Sequence, residues 1–125
     1  MLEKFEIVGE VVYKVTYEDD KEVARCIHSC TKKVILSGSG DGSVGVTHPV
    51  LAQYTDWEGN PLSAENTTIL VTVTKDQEQV GTIDLQPVNG VVELDLDFTT
   101  TGKYQIKAVG VGITNTPGEL VVNVQ

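Results

Sequence analysis

From Val92 to Phe98 apolar and acidic residues alternate without a break, with Val92, Leu94, Leu96 and Phe98 set against Glu93, Asp95 and Asp97. Successive side chains of a pleated strand point to opposite faces, so this stretch specifies a strand with one face in a core and one in water. The same period recurs at Tyr104, Ile106 and Ala108 against Lys103, Gln105 and Lys107, and at Ile69, Val71 and Val73 against a face made mostly of threonine. No stretch sustains a 3.6-residue period over three turns, and turn residues return about every 8–12 positions. Such a chain is all-β, with short strands stacked into a sandwich.

Taken in order, Phe5 to Tyr17 is β-branched and aromatic material, with Val11, Tyr13, Val15 and Tyr17 on one face and a bend expected at Gly9. Glu18-Asp19-Asp20-Lys21 is a polar turn, and Glu22 to Ser29 returns antiparallel with Val23, Ala24 and Ile27. Residues 1–31 thus read as an N-terminal β-hairpin. A lone hairpin is marginal in water, so it must pack on the following domain or on a partner. Residues 32–125 read as the sandwich, with strands at Lys32–Leu36, Val44–Val46, Val50–Thr55, Thr68–Thr74, Glu78–Leu85, Val92–Phe98, Tyr104–Val109 and Leu120–Val124. Between them lie a glycine-rich stretch from Ser37 to Ser43, a breaker-rich turn from Asp56 to Leu62, and Asn89-Gly90, which has the residues of a type I′ hairpin turn.

The 125 residues make one domain with room at most for a small appendage, and a chain of this length buries roughly 65–70% of its unfolded surface. Nine basic against eighteen acidic residues leave a net charge of −9 with no Lys/Arg cluster, which disfavours a nucleic-acid backbone as partner. No 18-residue apolar run spans a membrane. Met1-Leu2-Glu3-Lys4-Phe5-Glu6 is charged and lacks the form of a signal peptide, so the chain is expected to be made in the cytoplasm, with incorporation into a larger particle or export by another route left open. Cys26 and Cys30 lie four apart on an extended segment, roughly 13 Å along the strand and too far to bridge, so both are expected as free thiols.

The stretch Val50-Leu51-Ala52-Gln53-Tyr54-Thr55-Asp56-Trp57-Glu58-Gly59-Asn60-Pro61-Leu62, followed by Thr101-Gly102-Lys103-Tyr104-Gln105-Ile106-Lys107-Ala108, resembles the bacterial immunoglobulin-like domains of the invasin/intimin type. Those domains carry an Asp-x-x-Gly-Asn-Pro turn and a Gly-x-Tyr strand near the end. Thr100-Thr101-Gly102-Lys103-Tyr104 also has the form of a tyrosine corner, in which a Tyr hydroxyl bonds back to the preceding backbone of an immunoglobulin-like sandwich. The resemblance covers roughly residues 33–125. It implies an immunoglobulin-like Greek-key β-sandwich used as a spacer, adhesive tip or decoration on bacterial surfaces and tailed-phage virions. It departs from antibody domains in having no Cys…Trp…Cys core, with Trp57 in a turn.

No motif for a nucleophile, a metal-dependent hydrolase or a phosphate-cradling loop is present, which points away from an enzyme and implies no cofactor. Cys26, His28 and Cys30 share a strand face, but at about 6.6 Å between successive Cα atoms they splay around a metal ion rather than converge. Asp41-Gly42-Ser43 and the Glu93/Asp95/Asp97 row lack the further oxygens of a calcium loop. Asn66-Thr67-Thr68 fits a glycosylation sequon and reads as a loop entering a strand. Two functional readings follow. In one the domain is a structural or assembly module whose hairpin, through Tyr13, Val15, Tyr17, Val23 and Ile27, pairs with a protein partner or with copies of itself. In the other it is a recognition module binding carbohydrate or a host protein through the turns at Asp56–Leu62 and Ile113–Gly118, with Tyr54, Trp57, Glu58 and Asn60 as contacts, set against the alternative that Tyr54 is core and Trp57 caps the end of the sandwich.

Overall fold

A computed structural model describes all 125 residues as eleven strands and no helix. Where the alternating pattern is cleanest the match is direct. Strand β9 (Val91–Leu96) buries Leu94 and Leu96 and exposes Glu93 and Asp95, and Phe98 continues the buried row past its end. Strand β10 (Gly102–Gly110) buries Tyr104, Ile106 and Ala108 and turns Lys103, Gln105 and Lys107 to solvent.

Two sheets form the sandwich. One has the order β4 (Lys32–Ser37), β6 (His48–Asp56), β9. The other has the order β5 (Asp41–Gly42), β11 (Gly118–Val124), β10, β7 (Ile69–Lys75), β8 (Glu78–Leu85). In immunoglobulin lettering, with β4, β6, β7, β8, β9, β10 and β11 as A, B, C, C′, E, F and G, the sheets are A-B-E and C′-C-F-G, and β5 adds a parallel strand beside G. That is the Greek-key arrangement of an immunoglobulin-like fold. One core of sixteen buried residues fills the space between the sheets, with Tyr54, Ile69 and Ile106 among its fully buried side chains.

Three local details differ from the sequence reading. The segment Val44–Val46 is not a strand, and the short β5 lies inside the glycine-rich stretch, held by Asn123 N–H donating to Gly40 O (2.8 Å) and Gln125 N–H to Gly42 O (3.0 Å). Asn89 and Gly90 do adopt positive φ (56° and 77°), but the turn closes only the Val88–Val91 bridge and does not join a long hairpin. It carries the chain from one sheet to the other, because β8 pairs with β7 and β9 with β6.

The largest difference lies at the N-terminus. Residues 2–30 form three strands rather than a two-stranded hairpin: β1 (Leu2–Val8), β2 (Val11–Glu18) and β3 (Lys21–Cys30), in that order. Gly9, at φ 61° in the first central position of a two-residue turn, folds β1 back on β2 instead of merely bending one strand. Asp19 and Asp20, both at positive φ, turn β2 into β3.

Candidate functional site

Two regions hold the residues singled out from the sequence. In the Asp56–Leu62 turn, the Asp56 carboxylate accepts hydrogen bonds from the Glu58 and Asn60 backbone N–H groups (both 2.9 Å) and from the Asn60 side-chain amide (3.1 Å). These donors, the Asn60 N–H first, hold the Asp56 carboxyl below its ordinary pKa. The turn therefore spends the Asp56 carboxylate on its own donors.

Tyr54 is not on the surface as the contact reading requires. It is fully buried in β6, its hydroxyl donates to Thr67 O at 2.8 Å, and burial pushes its pKa up to about 12. Its alternation with Val50 and Ala52 carries the signal for this, since all three point into the core. Glu58 and Asn60 are exposed and Trp57 is partly buried. The second turn is likewise tied inward, with the Asn115 side chain bonded to Gly110 N–H, Gly110 O and Ile113 O.

Trp57 has a different role from either reading. Its ring lies 5.1 Å from Phe5 of β1 and 6.0 Å from His28 of β3, and Phe5 and His28 are 4.7 Å apart. This aromatic triad is the joint between the N-terminal sheet and the sandwich. One hydrogen bond accompanies it, Cys30 N–H to Thr116 Oγ1 (3.0 Å). The ladder from β2 to β3 steps from Val12–Ser29 to Tyr13–Ile27, leaving His28 as the extra residue of a bulge. Bulges re-aim side chains in this way, and no sequence period marks them in advance. No three His, Cys, Asp or Glu side chains come together as metal ligands, and Cys26 and Cys30 are free.

The second region is the N-terminal sheet itself. Among the residues expected to form its contact surface, Val23 and Ile27 are exposed on β3, Ile27 at 69%. Val15 is fully buried in the middle strand, with Lys4 and Arg25 as cross-strand neighbours whose long stems can cover it. Tyr13 and Tyr17 are partly buried, Arg25 standing over one ring at 5.2 Å and Lys4 over the other at 5.7 Å. The sequence reading missed β1, where Leu2, Phe5, Ile7 and Val8 are 50–56% exposed. Val8-Gly9-Glu10-Val11, a two-residue turn with glycine first, was the signal for it.

Elsewhere, a cleft of about 200 Å³ between β8 and β9 is lined by Val73, Val80, Ile83, Phe98 and Tyr104. It is small for a ligand pocket. Tyr104 closes its corner as its motif suggests, the hydroxyl donating to Thr100 O at 3.0 Å. Lys75 donates to Thr100 Oγ1 at 3.0 Å beside it.

Strand order and tyrosine corner together make this chain an immunoglobulin-like β-sandwich carrying an added N-terminal sheet. The sequence matches no protein-family model and no curated protein. In fold the chain is similar to the superoxide reductase (neelaredoxin) from Ignicoccus hospitalis, at 11% identity over 78% of this chain and 82% of that one, TM-score 0.51. Two looser likenesses are the CARDB domain of the PF1109 protein from Pyrococcus furiosus (15% identity, 74% and 91% covered, TM-score 0.47) and the PKD domain of an M14-like peptidase from a Thermoplasmatales archaeon (16%, 74% and 92%, TM-score 0.45). At these identities the likeness is one of fold alone.

Proposed function

We propose that this protein is a non-enzymatic assembly module, in which the N-terminal sheet is the interaction element and the sandwich is the rigid body it connects to its neighbours. One observation carries this reading: Leu2, Phe5, Ile7, Val8, Val23 and Ile27, all at least half exposed, lie in one three-stranded sheet whose outer strands, β1 and β3, are both unpaired edges. Soluble monomers seldom keep apolar side chains and a free strand edge together in one element, because the two form a template for pairing with another chain. A tailed-phage virion, the setting implied by the resemblance to invasin/intimin-type domains, is built from repeated contacts of that kind.

Recognition through the turns has less support. Tyr54 is buried, Trp57 faces Phe5 and His28, and the Asp56 carboxylate is occupied by its own turn. Glu58 and Asn60 alone remain to meet a carbohydrate or a host protein.

The test is solution mass by light scattering for the full chain and for a variant with Ile7→Glu and Ile27→Lys. The expected outcome is a species heavier than the 13.5 kDa chain, reduced to 13.5 kDa in the variant. An oligomer of unchanged mass in the variant overturns the reading.

A further inference from the structure

We infer that the partner of β1 is β1 of a second copy, paired antiparallel about a two-fold axis through Phe5. This rests on the reading of the N-terminal sheet as the interaction element and names its occupant.

Backbone geometry limits which residues can pair. The two-residue turn at Gly9-Glu10 makes Val8–Val11 a hydrogen-bonded pair, and such pairs alternate along an antiparallel ladder. Leu2, Lys4, Glu6 and Val8 therefore spend their N–H and C=O groups on β2. Glu3, Phe5 and Ile7 aim theirs outward from the sheet edge. A second β1 can satisfy those groups only in registers that set outward-facing residues opposite one another.

Charge then selects among the three central registers of that kind. Centred on Phe5, the pairs are Leu2–Val8, Glu3–Ile7, Lys4–Glu6 and Phe5–Phe5, and the Lys4–Glu6 pair occurs twice by symmetry. Sliding by two residues one way sets Lys4 against Lys4, and the other way sets Glu6 against Glu6. Opposite charges directly across an antiparallel pair stabilise it and like charges destabilise it. A two-fold contact of this kind also closes on itself, so it stops at a dimer rather than growing into a fibre.

The chain leaves these charges available. Lys4 makes no ion pair within the chain, its ammonium standing over the Tyr17 ring. Arg25 holds one oxygen of the Glu6 carboxylate, Oε2 at 2.9 Å. Phe5, 50% exposed, would meet its symmetry mate beside the Trp57 and His28 rings, adding to a contact already aromatic on one side.

Sedimentation equilibrium of the full chain over a concentration series tests this, with three kinds of variant. The wild-type chain is expected at twice the chain mass. Lys4→Glu should weaken the dimer at least about tenfold, since two attractive pairs become two repulsive ones, and the swap Lys4→Glu with Glu6→Lys should recover most of that loss. Glu3→Pro removes an outward N–H while leaving the ladder to β2 intact, and should weaken the dimer comparably. With Cys26→Ser and Cys30→Ser, Phe5→Cys should form an intermolecular disulfide on mild oxidation, because Cα atoms of a hydrogen-bonded pair lie about 5.5 Å apart.

A monomer at all concentrations overturns the inference. So does an oligomer indifferent to Lys4→Glu and Glu3→Pro and lacking the Phe5→Cys cross-link. If that oligomer still dissociates with Ile27→Lys, the N-terminal sheet keeps its assembly role and only the β1 register is lost. If it resists Ile27→Lys as well, both readings fall together.

Discussion

Glu65 lies at 2.6 Å from the Lys32 ammonium, with only 16% of its side chain exposed, and also accepts from the Thr67 hydroxyl. The Lys32 hydrogen bond comes first among the effects that hold its carboxyl below the ordinary carboxylate range. A carboxyl depressed in the folded state contributes stability above its unfolded pKa, and that contribution disappears as pH falls through the folded value. Glu65→Gln should therefore cost about 0.5–1 kcal/mol at pH 7, a partly exposed pair being discounted for solvent screening, and less at pH 3. Urea midpoints of both proteins at the two pH values check this, and an equal loss at both would assign the effect to packing instead of charge. Neither Lys32 nor Glu65 stands out in the sequence, because 33 residues and a sheet-to-sheet connection separate them. His48 was equally illegible. It alternates with Val50 and Ala52 into the core, yet its Nε2 has no hydrogen-bond partner there.

Elements were legible to the degree that each carried its own period or its own turn. Strands β9 and β10 announce themselves by alternation, and the Asn89-Gly90 turn by residues that tolerate positive φ. What Gly90 does was hidden. A Cβ there would collide with the Leu62 carbonyl; its own carbonyl accepts from Tyr54 N–H (2.8 Å), and its N–H donates to Asn66 Oδ1 (2.8 Å). Gly90→Ala, combining the backbone strain of φ 77° with that collision, should destabilise the fold by about 2–4 kcal/mol. Thermal unfolding measures it, and a loss below about 1 kcal/mol would mean the Asp56–Leu62 segment can move aside. The split of β1 from β2 was missed for a related reason. Apolar residues continue on both sides of Gly9, so hydrophobic pattern alone reads one strand where turn geometry makes two.

For the molecule as a whole, the decisive feature is that the Cys30–Thr116 hydrogen bond and three aromatic rings join a largely exposed sheet to a well-packed sandwich. Trp57→Ala removes two ring contacts worth together about 1–2 kcal/mol, so amide exchange in β1–β3 should accelerate roughly five- to thirtyfold while β6, β7 and β10 keep their protection. Uniform acceleration across all strands would show instead that the two parts unfold as one. The sequence by itself determined the all-β sandwich and its tyrosine corner, because alternation and turn chemistry are local and each strand declares which face it buries. Only the tertiary structure decided that Trp57 is a joint and that β1 is a free edge. Those facts depend on which strand lies beside which, and pairing partners far apart in the chain leave no period in it.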